Sequence, residues 1–132
     1  MNVFPLQIAT PDGLLYDGNA ESLLVRTVNG DVEIMAGHAD YIAAVGCGRV
    51  RLQENGSVRF AAASGGFLSV CGGHVRLVCT TFEFADQIDL ARAVAAKARA
   101  EEAIRAHQDG VDERVVKAKL SRALARIQVK QG

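Results

Sequence analysis

The chain has 132 residues, 49% of them hydrophobic and 23% charged, with 15 basic residues balancing 15 acidic ones. That length suits one compact domain or a small domain with an appendage, and the apolar share is too high for a disordered chain. No apolar run approaches the ~20 residues of a membrane span, so direct membrane insertion is not expected.

The opening, MNVFPLQIAT, lacks the basic segment, long apolar stretch and cleavage pattern of a signal peptide, and a cytosolic chain is expected. Cys47, Cys71 and Cys79 are odd in number and form no C-x-x-C, which predicts free thiols in a reducing compartment. Cys71 and His74 are too few for a zinc site, and His38, His74 and His107 are scattered, so no metal is expected.

The first 84 residues read as short strands. Asn29-Gly30 and Asn55-Gly56 each suit a tight hairpin whose central residues need positive φ. Around the second, Arg49-Val50-Arg51-Leu52 and Ser57-Val58-Arg59-Phe60 alternate polar and apolar. Gly65-Gly66 then precedes FLSV, and Gly72-Gly73 precedes HVRLVCTT. Turn signals at this spacing predict an antiparallel sandwich or barrel. No phosphate-binding glycine loop, dinucleotide fingerprint or nucleophile elbow is present, Ser64 lying in ASGGF, and no set of residues for an enzyme's site stands out.

From Ala85 the character changes. Through Phe84 there are five basic and eight acidic residues; beyond it there are ten basic and seven acidic, giving −3 and +3. Asp86 is placed to cap a first helix, with Asp89 favouring its positive end, and the helix is expected to run to about His107. Gln108, Asp109 and Gly110 predict a break, and Asp112 a cap for a second helix. In that helix Val116, Leu120, Ala123 or Leu124, and Ile127 are expected to form one apolar face. The fold class expected is therefore α+β, mostly β. An N-terminal antiparallel β-sandwich (1–84) is followed by a C-terminal antiparallel two-helix hairpin (85–132). Alanine dominates the first helix, so the hairpin buries little area and is weakly held.

Two polar stripes carry the functional signal. Asp89, Arg92 and Arg99 fall in one arc of the first helix; Lys119, Arg122, Arg126 and Lys130 fall in one stripe of the second. A solvated surface is the plainer reading of either stripe alone. Two stripes on adjoining helices point to a shared anionic target, either an acidic protein surface or a bound phosphate, which arginine forks suit. The tail has no aromatic residue to stack on bases, and no nucleic-acid partner is expected.

Several segments, taken in order, resemble the epsilon subunit of bacterial F-type ATP synthase. They are IATPDGLLYDG (8–18), NGDVEIMAGHA (29–39), SGGFLSV (64–70), IDLARAVAAKARAEEAI and LSRALARIQV, and together they span the chain. The resemblance implies a non-catalytic rotor component of the central stalk. Its sandwich would bind the gamma subunit and the c ring through loops that include Asp31 and His38. Its hairpin would extend to inhibit ATP hydrolysis, with Lys119, Arg122, Arg126 and Lys130 facing an acidic segment of a beta subunit. The location implied is peripheral, on the cytoplasmic face of the bacterial inner membrane.

Some bacterial members of that family also bind ATP on the folded hairpin, as a regulatory ligand rather than a required cofactor. The family motif, Ile or Leu followed by Asp-x-x-Arg-Ala, is matched by Ile88, Asp89, Arg92 and Ala93, and the further positions by Glu83, Arg99, Arg122 and Arg126. Asp31, Glu33, Ala36, Asp40, Tyr41 and Cys47 depart from the family pattern. Ala36, Asp40 and Cys47 replace prolines, which predicts looser loops. A free-standing ATP sensor outside any rotor remains the alternative reading.

Overall fold

The computed structural model describes residues 2–106 and 112–132. Its strands are β1 (Phe4–Thr10), β2 (Gly13–Ala20), β3 (Ser22–Thr27), β4 (Gly30–Met35), β5 (Tyr41–Ala44), β6 (Gly48–Glu54), β7 (Ser57–Ser64), β8 (Phe67–Cys71), β9 (His74–Val78) and β10 (Thr81–Phe84). A 3₁₀ turn (Ala85–Gln87) leads to α1 (Leu90–Ala106) and α2 (Glu113–Gln131).

Alternation builds the core. Phe4, Leu6 and Ile8 on β1, Leu23 and Val25 on β3, Val50 and Leu52 on β6, and Val75 and Leu77 on β9 all point inward and are buried. They come from two five-stranded sheets, ordered β2-β1-β9-β8-β5 and β10-β7-β6-β3-β4, packed as a sandwich. The pairing is antiparallel except that β1 runs parallel to β9. Those two strands are far apart in the chain, so no tight hairpin dictates their direction.

The turns follow the glycines, with one difference from the sequence reading. Asn55 (φ 49°) and Gly56 (φ 74°) form the expected hairpin loop, and Gly72 (58°) and Gly73 (83°) form another. At Asn29-Gly30 only Gly30 has positive φ, and the strands close on the pair Thr27–Gly30. The Thr27 hydroxyl accepts from the Asn29 amide at 3.1 Å and donates to the Gly30 carbonyl at 2.7 Å, so a side chain moves the loop back one residue. Gly65-Gly66 is not a hairpin loop, because it joins β7 in one sheet to β8 in the other.

Both helices are capped by aspartate. Asp112 Oδ1 accepts from the Arg114 amide at 2.9 Å, as expected. The first cap is Asp89, not Asp86: its Oδ1 accepts from the Arg92 amide at 3.1 Å, while Asp86 lies inside the 3₁₀ turn. The expected break at Gln108, Asp109 and Gly110, and the expected helix end at His107, lie outside the described residues.

The helix pair packs through small side chains. Ala93 and Ala100 on α1, and Val116 and Ala123 on α2, are buried. A second cluster of Ala62, Ile88, Ala125 and Val129, with Phe60 and Cys47 partly buried beside it, docks α2 on the outer face of β6 and β7. This corrects the single apolar face expected on α2. Leu124 is 45% exposed, while Ala125 and Val129 are buried, because α2 serves two neighbours and not one. It also explains the Ala61-Ala62-Ala63 run in β7: Ala61 and Ala63 join the sandwich core, and Ala62 meets the helix.

Gly66 is a strict requirement. Its φ is +97°, and a Cβ there would stand 1.8 Å from the Val78 carbonyl oxygen. Gly66→Ala should destabilise the sandwich by more than about 3 kcal/mol, read from thermal or denaturant unfolding.

Candidate functional site

The joint between sandwich and tail carries the polar residues of interest. Phe82 and Phe84 point into the core, so the period-two rule turns Glu83 outward on β10. There Arg126 Nε donates to Glu83 Oε1 at 3.0 Å. Four residues further along α2, Lys130 Nζ donates to the Ala85 carbonyl at 3.1 Å. The 3₁₀ turn is braced from within, the Phe84 amide donating to Gln87 Oε1 at 3.3 Å. Ile88 is buried under α2 and anchors the turn by its apolar side chain.

Two adjoining clefts open around this joint. The first, of about 390 Å³, is lined by Glu83, Gln87, Asp89, Arg92, Ala93, Ala96, Arg99 and Arg126. The second, of about 430 Å³, lies between the helices and is lined by Ala96, Arg99, Ala100, Ala103, Val116, Lys119, Arg122 and Arg126. Ala96, Arg99 and Arg126 border both. Residues ascending α1 thus face residues descending α2, as in an antiparallel pair.

The charge is unevenly spread across the two. Glu83 and Asp89 stand in the first cleft, and the second has no acidic residue in its lining. Among the described residues Arg92, Arg99, Lys119 and Arg122 have no ion-pair partner, while Arg126 is tied to Glu83. Arginine forks held together without carboxylates make an anion site, since each presents paired donors.

Every sequence-derived residue of the first group meets at these clefts except Ile88, which lies beneath them. Lys119, expected only as a partner contact, lines the second cleft. Gln87 and Ala96 were not singled out in the sequence. Ala96 stands three and four residues from Ala93, Arg92 and Arg99 and shares their helix face, a signal that was available. Gln87 sits in the 3₁₀ turn, where no periodicity announces it.

The two remaining partner residues lie elsewhere on the sandwich. Asp31 on β4 pairs with Arg26 Nε at 2.6 Å, and that hydrogen bond holds its carboxyl below the usual carboxylate range. It borders a separate groove of about 290 Å³ beside Leu124 of α2. His38 follows β4, with Nδ1 2.7 Å from the Ala39 carbonyl, which places the proton on Nδ1. Its ring meets Tyr41 edge to face at 5.7 Å.

Several departures from the family pattern have found partners of their own. Asp40 Oδ1 accepts from the Gly72 amide at 2.9 Å, and Glu33 Oε1 takes a hydrogen bond from Ser22 at 3.1 Å and lies 3.4 Å from Arg51 Nη2. Cys47 lies under α2; burial pushes its thiol up, against the opposing pull of Arg122 and Arg126.

A β-sandwich with a helical tail laid on one sheet defines a recognisable class of protein. The family model for the β-sandwich domain of the ATP synthase delta/epsilon chain matches residues 3–85, and that for its long α-helix domain matches residues 86–131. The chain belongs to the ATP synthase delta/epsilon chain family. It is 40% identical to the ATP synthase epsilon chain of Bacillus velezensis over 129 residues, covering 98% of each chain. To that of Ruminococcus albus it is 37% identical over 130 residues, covering 98% of this chain and 97% of the other. The same fold occurs in a chain of the Euglena gracilis mitochondrial ATP synthase OSCP/F1/c-ring structure, at TM-score 0.82 and 19% identity. That match covers 96% of this chain and 80% of the other.

The cysteines give a direct check of the docking. Cys71 is exposed, Cys47 half-buried beneath α2, and Cys79 buried with its thiol pushed up to about 12 by desolvation. A neutral thiol reagent should modify Cys71 first, Cys47 more slowly, and Cys79 only on global unfolding. Peptide mapping by mass spectrometry reads the order, and equal rates at Cys71 and Cys47 would contradict this docking.

Proposed function

We propose that the chain is a non-catalytic regulatory component of an F-type ATP synthase rotor. Its sandwich, residues 1–84, clamps the gamma subunit and the c ring through a surface that includes Asp31 and His38. Its tail, residues 85–132, is a mobile brake on ATP hydrolysis that folds around ATP. The place of action is the cytoplasmic face of the bacterial inner membrane. Family membership supports the rotor role. Among the described residues no helix is long and apolar enough to cross a membrane, which fits a peripheral subunit.

One observation carries the ATP reading: Arg92 and Arg99 from α1 and Arg122 and Arg126 from α2 converge on adjoining clefts only while the helices are closed. Glu83, Asp89, Gln87 and the nearby backbone offer hydrogen-bond partners for the nucleoside end, and the arginines face the phosphates. This reading assigns the phosphate charge to side chains and assigns no metal to the site. A ligand that touches both helices favours the closed state, because its affinity for an open one lacks half of the contacts.

Calorimetry on the full chain tests the site. ATP should bind, and Arg122→Ala with Arg126→Ala should weaken it by more than about tenfold. Unaltered affinity in the double variant would mean that these arginines serve only a protein partner.

The brake is tested in the assembled complex. Changing Lys119, Arg122, Arg126 and Lys130 together to alanine should relieve inhibition of ATP hydrolysis while assembly stays intact. All four are needed because an exposed ion pair contributes only ~0.2–1 kcal/mol. Inhibition that persists at full strength in the quadruple variant refutes the brake surface.

A further inference from the structure

Lys119 is the lysine among the cations that border the second cleft, and like Arg122 it is unpaired among the described residues. It precedes Arg122 by three residues and Arg126 by seven, so all three share one side of the helix. Unlike Arg126, it has no ion-pair partner among the described residues. Its side chain is exposed, and it borders the cleft that contains no acid. The same cleft is bordered on α1 by Ala100 and Ala103, whose short side chains take up little of it.

The two clefts differ in the chemistry they can receive. The first sets Glu83, Asp89 and Gln87, which suit a hydrogen-bonding base and sugar, beside Arg92, Arg99 and Arg126, where the charged end of such a ligand would begin. The second is bordered by Arg99, Lys119, Arg122 and Arg126 and suits a highly charged end. Arg99 and Arg126 stand at the border between them, so an elongated anion passes that pair on its way from one cleft to the other.

Charge balance then singles out the lysine. Arg92, Arg99, Arg122 and Arg126 against Glu83 and Asp89 leave a net +2. A diphosphate ester carries about −2.5 to −3 at neutral pH, and a triphosphate about −3.5 to −4. The arginines alone therefore fall further short for the longer chain, and Lys119 is the unpaired cation that narrows the gap.

We propose that Lys119 contacts the terminal phosphate of a bound nucleoside triphosphate and sets the preference of the site for triphosphate over diphosphate. This rests on the reading of the clefts as a nucleotide site. It gives Lys119 two exclusive uses, a phosphate contact when the helices are closed and a partner contact when they are extended.

Calorimetry on the full chain with ATP and with ADP, for the native protein, Lys119→Ala and Lys119→Arg, tests it. Lys119→Ala should weaken ATP by about tenfold and ADP by less than about twofold, and Lys119→Arg should hold ATP within about threefold of native. Two results overturn the assignment: native ATP affinity in Lys119→Ala, or an equal loss for ATP and ADP, which would mean that the lysine acts through helix packing. Failure of the native chain to bind ATP at all overturns instead the nucleotide reading beneath it.

Discussion

Alanine against alanine sets the terms on which the tail meets the sandwich. Ala62 receives Ala125, and Ala93, Ala100 and Ala123 lie in the seam between the helices. Small side chains let the backbones come close and bury little surface in doing so. Fully burying a valine or isoleucine contributes ~1.5–3 kcal/mol, and among the described residues at the sheet docking surface Ile88 and Val129 are the buried ones of that size, with Phe60 partly buried beside them. The same close approach brings the arginines of the two helices together. Like charge gathered in this way opposes docking, by an amount that solvent screening reduces at exposed side chains.

The sandwich is held on different terms. Leu6, Ile8, Leu23, Ile34, Leu52, Leu68 and Leu77 are fully buried between its sheets, and the strands are locked in register by side-chain bonds as well as by the ladder. Asp31 with Arg26, Glu33 with Ser22 and Arg51, and Asp40 with the Gly72 amide fasten the edge strand β4 and the loop after it. Asp40, through its bond from the Gly72 amide, ties the loop after β4 to the turn between β8 and β9. Charged residues facing out along β4 also guard that open edge against pairing with another chain. The sandwich excludes water from large side chains and the docking surface of the tail largely from small ones, so the two are held with different strength.

Much of this was legible in the sequence because its causes are local. Period-two alternation gives the strand faces, and Asn55-Gly56 and Gly72-Gly73 give their loops, since only such pairs adopt two successive positive φ angles cheaply. What escaped has non-local causes. Thr27 captures the turn at Asn29-Gly30 through its hydroxyl, which pattern alone does not weigh. Asp86 and Asp89 are both plausible caps, and the burial of Ile88 between them decides for the second. On α2 a single apolar face was expected, yet the helix answers to α1 and to β7 at once, which lets Leu124 turn to solvent. The ion pair of Arg126 with Glu83 links residues 43 apart, and no local rule finds it. Helical spacing placed the arginines on their faces; only the fold turned those faces toward each other.

That arrangement makes the two proposed uses of the cations compete. A polyanion between the helices removes the repulsion that favours opening, and it also occupies the groups that an acidic partner would need. At 100 times its dissociation constant a ligand adds about 2.7 kcal/mol to the state it binds. Against a seam of alanines that quantity is decisive, while against the leucine core of the sandwich it would change little. The alanine content of α1 and of the Ala61–Ala63 run would thus be the physical setting of the proposed switch. Larger side chains there would strengthen docking beyond the reach of a single ligand, and an added carboxylate in the second cleft would hold the arm down with no ligand present. On the proposed reading, a weak apolar seam under a surplus of positive charge leaves the decision to whichever anion arrives.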